Sequence, residues 1–294
     1  MKKVGFIGVG IMGKSMVRNL MKAGFELHIY ARTKSKVEDV IGEGAQFHES
    51  IKDCVQDCDA VITIVGFPQD VEEVYFDEGN ILDSAKEGAY LIDMTTTSPQ
   101  IAEKIYAEGT KRGFHVMDAP VTGGDTGAKA GTLSILVGGD KEDYEACMPL
   151  FEAMGTNINY QGKAGCGQHC KLANQIMIAG TLSGVCEALT YVKEQGLDPE
   201  VFMKSVATGA AGSKQLDTFG PKILKEDYAP GFFMKHFIKD MKLALIEANR
   251  KGLSLDVLSM VLANYEELEQ EGYGDLGTQA LMKFYDEEHR NMEE

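Results

Sequence analysis

The N-terminal segment KKVGFIGVGIMGKSMVRNLMKAGFELHIYART constrains the fold more than any other stretch. A short β-branched and aromatic run leads into Gly8, Gly10 and Gly13, and apolar residues then recur at helical spacing. After Gly24 the run FELHIY has the character of a second strand. The order strand, G-x-G-x-x-G, helix, strand predicts the first unit of a parallel, doubly wound sheet.

Each glycine of this turn has its own predicted role. Gly8 permits a tight turn, Gly10 lets the backbone approach a pyrophosphate, and Gly13 lets the helix pack closely on the strand. The helix N-terminus offers N–H groups to phosphate oxygens. In preference to an ordinary glycine-rich turn, we therefore predict a dinucleotide site formed by Gly8, Val9, Gly10, Ile11, Met12 and Gly13.

The end of the second strand predicts which dinucleotide is bound. An acidic side chain there would accept hydrogen bonds from the ribose hydroxyls of NAD, but the chain continues with Arg32, Thr33 and Lys34. The planar donors of Arg32 suit a 2′-phosphate. With a solvated basic turn as the alternative, Arg32 and Thr33 favour NADP, and NAD is the second possibility.

Strand and helix signals alternate to about residue 160, as in DAVITIVG and AYLIDMTTTSP. In a doubly wound sheet, ligands gather at the carboxyl ends of the strands. Gly66 and Thr96 follow two of these runs and are predicted to lie beside the cofactor, although ordinary turn chemistry explains them equally well.

Helical patterns dominate after this region. HCKLANQIMIAGTLSGVCEALTYVKEQG predicts one long apolar helix, and HFIKDMKLALIEANRKG and DVLSMVLANYEELEQEG predict two more. We therefore predict two domains, an α/β dinucleotide-binding domain over residues 1–163 and an all-helical substrate and dimerisation domain over residues 164–294. The acidic end DEEHRNMEE is expected to be a solvated tail.

The charge balance excludes some classes of partner. The chain has 29 Lys and Arg against 45 Asp and Glu, a formal charge of −16, which disfavours nucleic acid and anionic membranes. Its six dispersed cysteines are expected to be reduced thiols. With no signal-peptide pattern and no apolar run of about 20 residues, the expected location is the cytoplasm.

The segment GKAGCGQHCKLANQ places two cysteines, a histidine and a lysine close together. Three kinds of site are compatible with this composition: a metal site, a redox pair and a catalytic lysine. Cys166, His169 and Cys170 supply only three metal ligands at a spacing that fits no common zinc pattern. Two cysteines four residues apart across a helix start also have poor disulfide geometry, so no metal is predicted.

Four motifs in order resemble the β-hydroxyacid dehydrogenase family, which includes 3-hydroxyisobutyrate dehydrogenase and tartronate semialdehyde reductase. They are GFIGVGIMGKSM, DAPVTGGDTGAKAGTLSILVGG, GCGQHCKLANQ and HFIKDMKLA, and the resemblance covers nearly the whole chain. It implies a Rossmann-type N-terminal domain, an all-α C-terminal domain, and NAD(P)-dependent interconversion of a small β-hydroxyacid and its semialdehyde or keto acid.

The resemblance also implies roles for individual residues. Lys171 is implied as general acid and base, and a protonated amine beside a developing alkoxide supplies the proton that hydride reduction requires. Asn174 and Gln175 follow on the same helical face, with Asn174 implied in catalysis and Gln175 in substrate binding. Further implied residues are Thr122, Gly123, Gly124 and Phe232 for a carboxylate-bearing substrate, and Lys239 and Asp240 for the cofactor.

Two alternatives stay open at this point. A dinucleotide-binding sensor or scaffold on the same fold need not retain Lys171, Thr122 and Asn174, all of which are present. An imine reductase on a related scaffold would usually replace the lysine. Apolar stretches of the helical domain predict a homodimer or homotetramer.

Overall fold

The computed structural model describes residues 1–286. The chain forms two compact units, unit 1 (Met1–Lys171) and unit 2 (Leu172–Glu294), and they divide inside a long helix. The boundary predicted between residues 163 and 164 lies just before that helix and stays a prediction. Of the predicted acidic tail, residues 287–294 lie outside the described residues.

All strands of the described chain belong to unit 1. They are β1 (Lys3–Ile7), β2 (Glu26–Tyr30), β3 (Gln46–Phe47), β4 (Ala60–Thr63), β5 (Tyr90–Asp93), β6 (His115–Asp118), β7 (Val121–Thr122), β8 (Leu133–Gly139) and β9 (Gly155–Gly162). The helices that begin in unit 1 are α1 (Ile11–Lys22), α2 (Glu38–Gly42), α3 (Ile51–Val55), α4 (Pro68–Phe76), α5 (Ile81–Ser84), α6 (Pro99–Lys111), α7 (Gly124–Ala130), α8 (Lys141–Ala146), α9 (Met148–Met154) and α10 (Cys166–Glu194), with a 3₁₀ helix at Lys34–Lys36.

The strands form one sheet in the order β3-β2-β1-β4-β5-β6-β8-β7, and β9 pairs with β8. From β3 to β6 the pairing is parallel, whereas β8 runs antiparallel to β6 and β7. This arrangement confirms the predicted doubly wound sheet. It also aligns Thr63, Asp93 and Asp118, which end β4, β5 and β6 in neighbouring register positions.

Alternating side chains of the parallel strands bury both faces of the sheet. Phe6 and Ile62 belong to one hydrophobic cluster, and Ile7 and Val61 belong to another. A strand directs successive side chains to opposite faces, so each cluster packs helices on its own side. Both faces being covered leaves the carboxyl ends of the strands as the edge that is open to ligands.

Every helix or strand that the structure names in the described residues of unit 2 is a helix, as predicted. It contains the rest of α10, then α11 (Pro199–Val206), α12 (Lys214–Ile223), α13 (Met234–Arg250) and α14 (Asp256–Gln270), and 3₁₀ helices at Tyr273–Asp275 and Thr278–Tyr285. Its core includes Leu182, Phe237, Met241 and Tyr265.

Helix α10 corrects one expectation from the sequence. It is long and apolar enough, by length and composition, to cross a membrane, and it is the one such helix in the described chain. The core helix of a soluble protein passes the same test, and Ala179, Leu182, Cys186 and Leu189 of α10 are buried in unit 2. One such helix is weak evidence for a membrane span.

Candidate active site

The glycine turn after β1 has the geometry that dinucleotide binding requires. Gly8 adopts φ +96°, and a Cβ there would lie 2.1 Å from the Ile64 carbonyl oxygen. A Cβ on Gly13 would lie 2.1 Å from the Gly8 oxygen, so α1 packs tightly on the turn. Gly10 caps α1 without a side chain, and a Cβ there would meet open space. The turn therefore forms a cradle of backbone N–H groups that fits a pyrophosphate.

Other residues predicted for the cofactor surround this turn within unit 1. Val9 is buried in the sheet core, Met12 packs partly against it, and Ile11 is half exposed. Gly66 and Thr96 follow β4 and β5 at the carboxyl edge and are partly buried. The structure thus brings the residues after β1, β4 and β5 to one edge of the sheet.

Arg32 follows β2 at the same edge but already has acidic partners. Its guanidinium pairs with Asp70 and lies 3.4 Å from Glu73, both on α4. The hydrogen bond to Asp70 raises the pKa of Arg32 above its usual value. Thr33 is exposed beside it and begins the 3₁₀ helix. The sequence has no carboxylate directly after β2, but the fold brings those of Asp70 and Glu73 on α4 next to Arg32.

A buried carboxyl group lies at the end of β5. Asp93 Oδ1 accepts hydrogen bonds from the Thr63 hydroxyl at 2.8 Å and from the Thr95 backbone N–H at 3.1 Å. Its Oδ2 is buried without a hydrogen-bond partner among the described atoms. Burial raises the pKa of Asp93 to about 6, and the hydrogen bonds from Thr95 and Thr63 offset part of this rise.

We expect Asp93→Asn to flatten the pH dependence of stability. Because the pKa of Asp93 is raised from 3.8 to about 6, its contribution to stability is fully present below about pH 4 and is lost as the pH rises through 6. Asparagine carries no proton to lose, so the free energy of unfolding of the variant relative to the unmutated protein should rise by about 2–3 kcal/mol between pH 4 and pH 8. Urea unfolding followed by circular dichroism measures this difference, and parallel pH profiles would contradict it.

The predicted substrate loop lies between β6 and α7. Thr122 ends β7 and is partly buried, and Gly123 and Gly124 are exposed with φ +130° and +63°. Only glycine adopts such angles without strain, and the absence of side chains leaves the backbone N–H groups accessible. The loop can therefore offer one hydroxyl and adjacent N–H groups to a carboxylate.

Asp118, directly before this loop, holds the start of α10. Its two carboxylate oxygens accept hydrogen bonds from the backbone N–H groups of Gly165 at 2.7 Å and Gln168 at 2.8 Å. The Gln168 side chain accepts from Thr97 N at 3.0 Å and donates to the Thr95 oxygen at 2.7 Å. Both side chains are buried. The first turn of α10 is therefore tied to the ends of β5 and β6.

Lys171 lies one turn after Gln168 on α10 and is 7% exposed. The neighbouring Cys166 and Cys170 are free thiols, and burial raises the pKa of Cys170. Within residues 1–286, no group of three or more His, Cys, Asp or Glu side chains is placed to hold a metal ion. The role of Lys171 as the catalytic residue stays a prediction.

The remaining predicted residues lie in unit 2. Gln175 Nε2 donates to Asp240 Oδ2 at 2.6 Å, and Asn174 Nδ2 donates to Gln175 Oε1 at 2.7 Å. Lys239 Nζ lies 3.0 Å from Asp240 Oδ1. Phe232 is 37% exposed, with its ring stacked on His236. The structure thus connects four of the predicted residues in one chain of polar contacts.

Asp93, Asp118, Gln168 and Asp70 are not among the site residues that the sequence motifs predict. A sequence signal could have identified Asp93 and Asp118. Each ends an apolar strand-like run, and ligands gather at the carboxyl ends of such strands. No local signal predicts the contact of Gln168 with Thr97 or that of Asp70 with Arg32, since these partners are 71 and 38 residues apart in the chain.

Two family descriptions match consecutive parts of the chain. Residues 3–162 match the NAD-binding domain of 6-phosphogluconate dehydrogenase. Residues 165–285 match the NAD-binding domain of NADP-dependent 3-hydroxyisobutyrate dehydrogenase. Together they span both units and identify a nicotinamide dinucleotide as the cofactor.

Two relatives and a solved structure agree with these matches. A probable mitochondrial 3-hydroxyisobutyrate dehydrogenase-like 1 protein of Arabidopsis thaliana is 44% identical, over 95% of this chain and 84% of its own. The 2-hydroxy-3-oxopropionate reductase of Escherichia coli is 37% identical, over 86% of each chain. Mycobacterium tuberculosis 3-hydroxyisobutyrate dehydrogenase, solved with L-serine, superposes with a TM-score of 0.89 at 26% identity, covering 97% of this chain and 99% of that one. The chain therefore belongs to the β-hydroxyacid dehydrogenase family and is an NAD(P)-dependent dehydrogenase that acts on CH–OH groups.

Proposed function

We propose that this enzyme interconverts a small β-hydroxyacid and its semialdehyde or keto acid, with Lys171 as the general acid and base. The observation that carries the proposal is the connection through Asp118. This residue begins the loop with Thr122, Gly123 and Gly124, and its carboxylate holds the start of the helix that carries Lys171. Asp118 thereby connects the end of β6, which leads into the proposed substrate loop, to the start of the helix that carries Lys171.

The proposed chemistry assigns each group a distinct task. The dinucleotide, when bound, carries the hydride that reduces the carbonyl carbon. As negative charge develops on the carbonyl oxygen, the Lys171 ammonium stabilises it and transfers a proton to it, which gives the alcohol. In the oxidative direction the neutral amine accepts the hydroxyl proton. Lys171 is mostly buried, which favours such a role because low solvent exposure strengthens charge interactions.

The substrate carboxylate is proposed to bind at the loop after β6. Gly123 and Gly124 leave their N–H groups accessible, and the Thr122 hydroxyl adds a third donor. Phe232 stays a predicted substrate-binding residue. The names of the relatives, which concern 3-hydroxyisobutyrate and 2-hydroxy-3-oxopropionate, support a compact acid with oxygen on the β-carbon.

A substrate screen tests this function. Purified protein is mixed with short 3-hydroxyacids and NADP⁺ or NAD⁺, or with the matching semialdehydes and the reduced cofactors, and the nicotinamide absorbance is followed. We expect turnover with at least one small β-hydroxyacid pair and none with the same compounds lacking the carboxylate. Cofactor binding without turnover of any pair would favour the sensor or scaffold alternative.

NADP is the proposed cofactor, and Asp70 is expected to weaken its binding. A 2′-phosphate recruited by Arg32 must approach the carboxylates of Asp70 and Glu73, which repel it. Asp70→Asn removes one charge but keeps an oxygen for the hydrogen bond from Phe67 N. We expect NADPH to bind about 3–10-fold more tightly and NADH to bind with unchanged affinity, since at this exposed position each ion pair contributes little.

Arg32→Asp should shift the preference toward NADH.

Fluorescence titration of the reduced cofactors measures these affinities. Glu72→Gln is the matched control, because Glu72 lies on the same helix and pairs with Lys104 instead of Arg32. Equal tightening of NADPH binding in the control would show a general charge effect. A preference of the unmutated protein for NADH would contradict the assignment of Arg32 to a phosphate.

The exposed apolar surface of unit 2 bears on assembly. We propose a cytoplasmic homodimer or homotetramer without nucleic-acid or membrane partners. Large apolar side chains of unit 2 are exposed in the single chain, including Met177, Tyr191, Val257 and Met260. Such residues commonly pack between subunits. Light scattering at micromolar concentration distinguishes an oligomer from the monomer that would contradict this proposal.

A further inference from the structure

One buried carboxylate determines the orientation of two side-chain amides in unit 2. Asp240 is fully buried on α13, and its carboxylate pairs with Lys239 and accepts a hydrogen bond from Gln175 Nε2 at 2.6 Å. A carboxylate paired with an ammonium group only accepts hydrogen bonds. The amide nitrogen of Gln175 must therefore face Asp240, and its oxygen must point the other way.

The orientation of Gln175 in turn sets that of Asn174. Gln175 is 1% exposed, and its Oε1 accepts a hydrogen bond from Asn174 Nδ2 at 2.7 Å. If Asn174 were rotated by half a turn, two amide oxygens would face each other. With its nitrogen directed to Gln175, Asn174 presents Oδ1 as its remaining polar atom, and this atom is an acceptor.

We propose that Asp240 and Gln175 are positioning residues that make Asn174 an acceptor for the hydroxyl group of the β-hydroxyacid. The inference rests on the proposed function, since Asn174 follows Lys171 by one helical turn on α10. The proposal gives Gln175 and Asp240 new roles. The family resemblance implies that Gln175 contacts the substrate and Asp240 the cofactor, whereas here both orient Asn174. Both act through Asn174, because both side chains are buried and hydrogen-bonded to each other.

This orientation distinguishes the two forms of the substrate. The alcohol has an O–H group that can donate to Asn174 Oδ1, whereas an aldehyde oxygen only accepts. The contact therefore favours binding of the hydroxyacid over the carbonyl compound. A neutral hydrogen bond changes a binding free energy by about 0.5–1.5 kcal/mol, which corresponds to about 3–10-fold in KM for the hydroxyacid.

A double-mutant cycle tests whether Asp240 acts through Gln175. The variants are Asp240→Asn, which lets Gln175 adopt either orientation, Gln175→Met, which keeps the shape but removes the amide, and the combination of the two. We expect each single change to raise KM for the hydroxyacid about 3–10-fold, to leave KM for the carbonyl compound within about 2-fold, and to leave the double variant no worse than the single ones. Asn174→Ala should reproduce the same pattern.

The control is Gln279→Met, which removes another fully buried amide of unit 2 that bonds to the Asp227 and Ala229 oxygens. An equal rise in the KM for the hydroxyacid in this variant would overturn the positioning role. So would a rise in the double variant that equals the product of the rises in the two single variants. Either result would leave the proposed function intact. If Asp240→Asn does not fold, the comparison of Gln175→Met with Asn174→Ala decides the question. Absence of turnover in the unmutated protein would instead overturn the proposed function, and the inference with it.

Discussion

Replacing Lys171 by alanine is expected to lower turnover by about 10²–10⁴-fold while leaving dinucleotide affinity nearly unchanged. The alanine variant loses both the proton donor and the positive charge beside the developing alkoxide. Phosphate binding is retained because the cradle at Gly8, Gly10 and Gly13 does not involve the lysine. Steady-state kinetics and fluorescence titration of NADPH measure the two quantities separately.

Two further variants show whether the effect depends on proton transfer. Lys171→Arg should not restore turnover, since a guanidinium keeps its proton throughout the working pH range. Cys170→Ser, a change to the adjacent partly buried thiol, and treatment with a chelator should leave most of the activity. Loss of turnover with the chelator and retention of turnover in Lys171→Ala would support a metal enzyme.

The second large effect is expected for Asp118→Ala. This change leaves the N–H groups of Gly165 and Gln168 buried without partners, at a cost of about 1–3 kcal/mol each. The start of α10 should then shift, and a displacement of about 1 Å of a catalytic group can lower turnover by about 10²-fold. We expect a loss of about 3–5 kcal/mol in stability and at least that drop in kcat.

Asp118→Asn separates the two consequences, because it keeps one oxygen that can accept a hydrogen bond. Its kcat and stability should lie between those of the alanine variant and the unmutated protein. Ser98→Ala serves as a control, since the Ser98 hydroxyl caps α6 by accepting a hydrogen bond from Gln100 N and makes no described hydrogen bond to α10. A kcat in Asp118→Ala equal to that of the Ser98 variant would show that the hold on α10 does not position the lysine.

Local sequence patterns were sufficient to predict the sheet and the helices of the second unit. Gly8, Gly10 and Gly13 are separated by short intervals that one turn can satisfy. Helix α13 has a helical period of apolar residues, and α10 is a long apolar run without proline. Such features depend on neighbours in the chain. The structure therefore reproduces them with little change.

Contacts between distant segments could not be predicted in the same way. Arg32 was expected to be available for a phosphate, but α4 folds against it and supplies Asp70 from 38 residues further along. The pairing of Gln175 with Asp240 spans 65 residues, and no periodic pattern encodes it. Partners of this kind depend on how the elements pack.

Transfer of deuterium tests the central claim most directly. A small 3-hydroxyacid that the screen identifies is labelled with deuterium on its hydroxyl-bearing carbon and incubated with enzyme and NADP⁺, and the reduced cofactor is analysed by mass spectrometry. We expect one deuterium atom in the nicotinamide ring of each cofactor formed, at a rate that Lys171→Ala reduces by at least about 10²-fold. Reduced cofactor without deuterium, or labelled cofactor formed at an unchanged rate by Lys171→Ala, would contradict it.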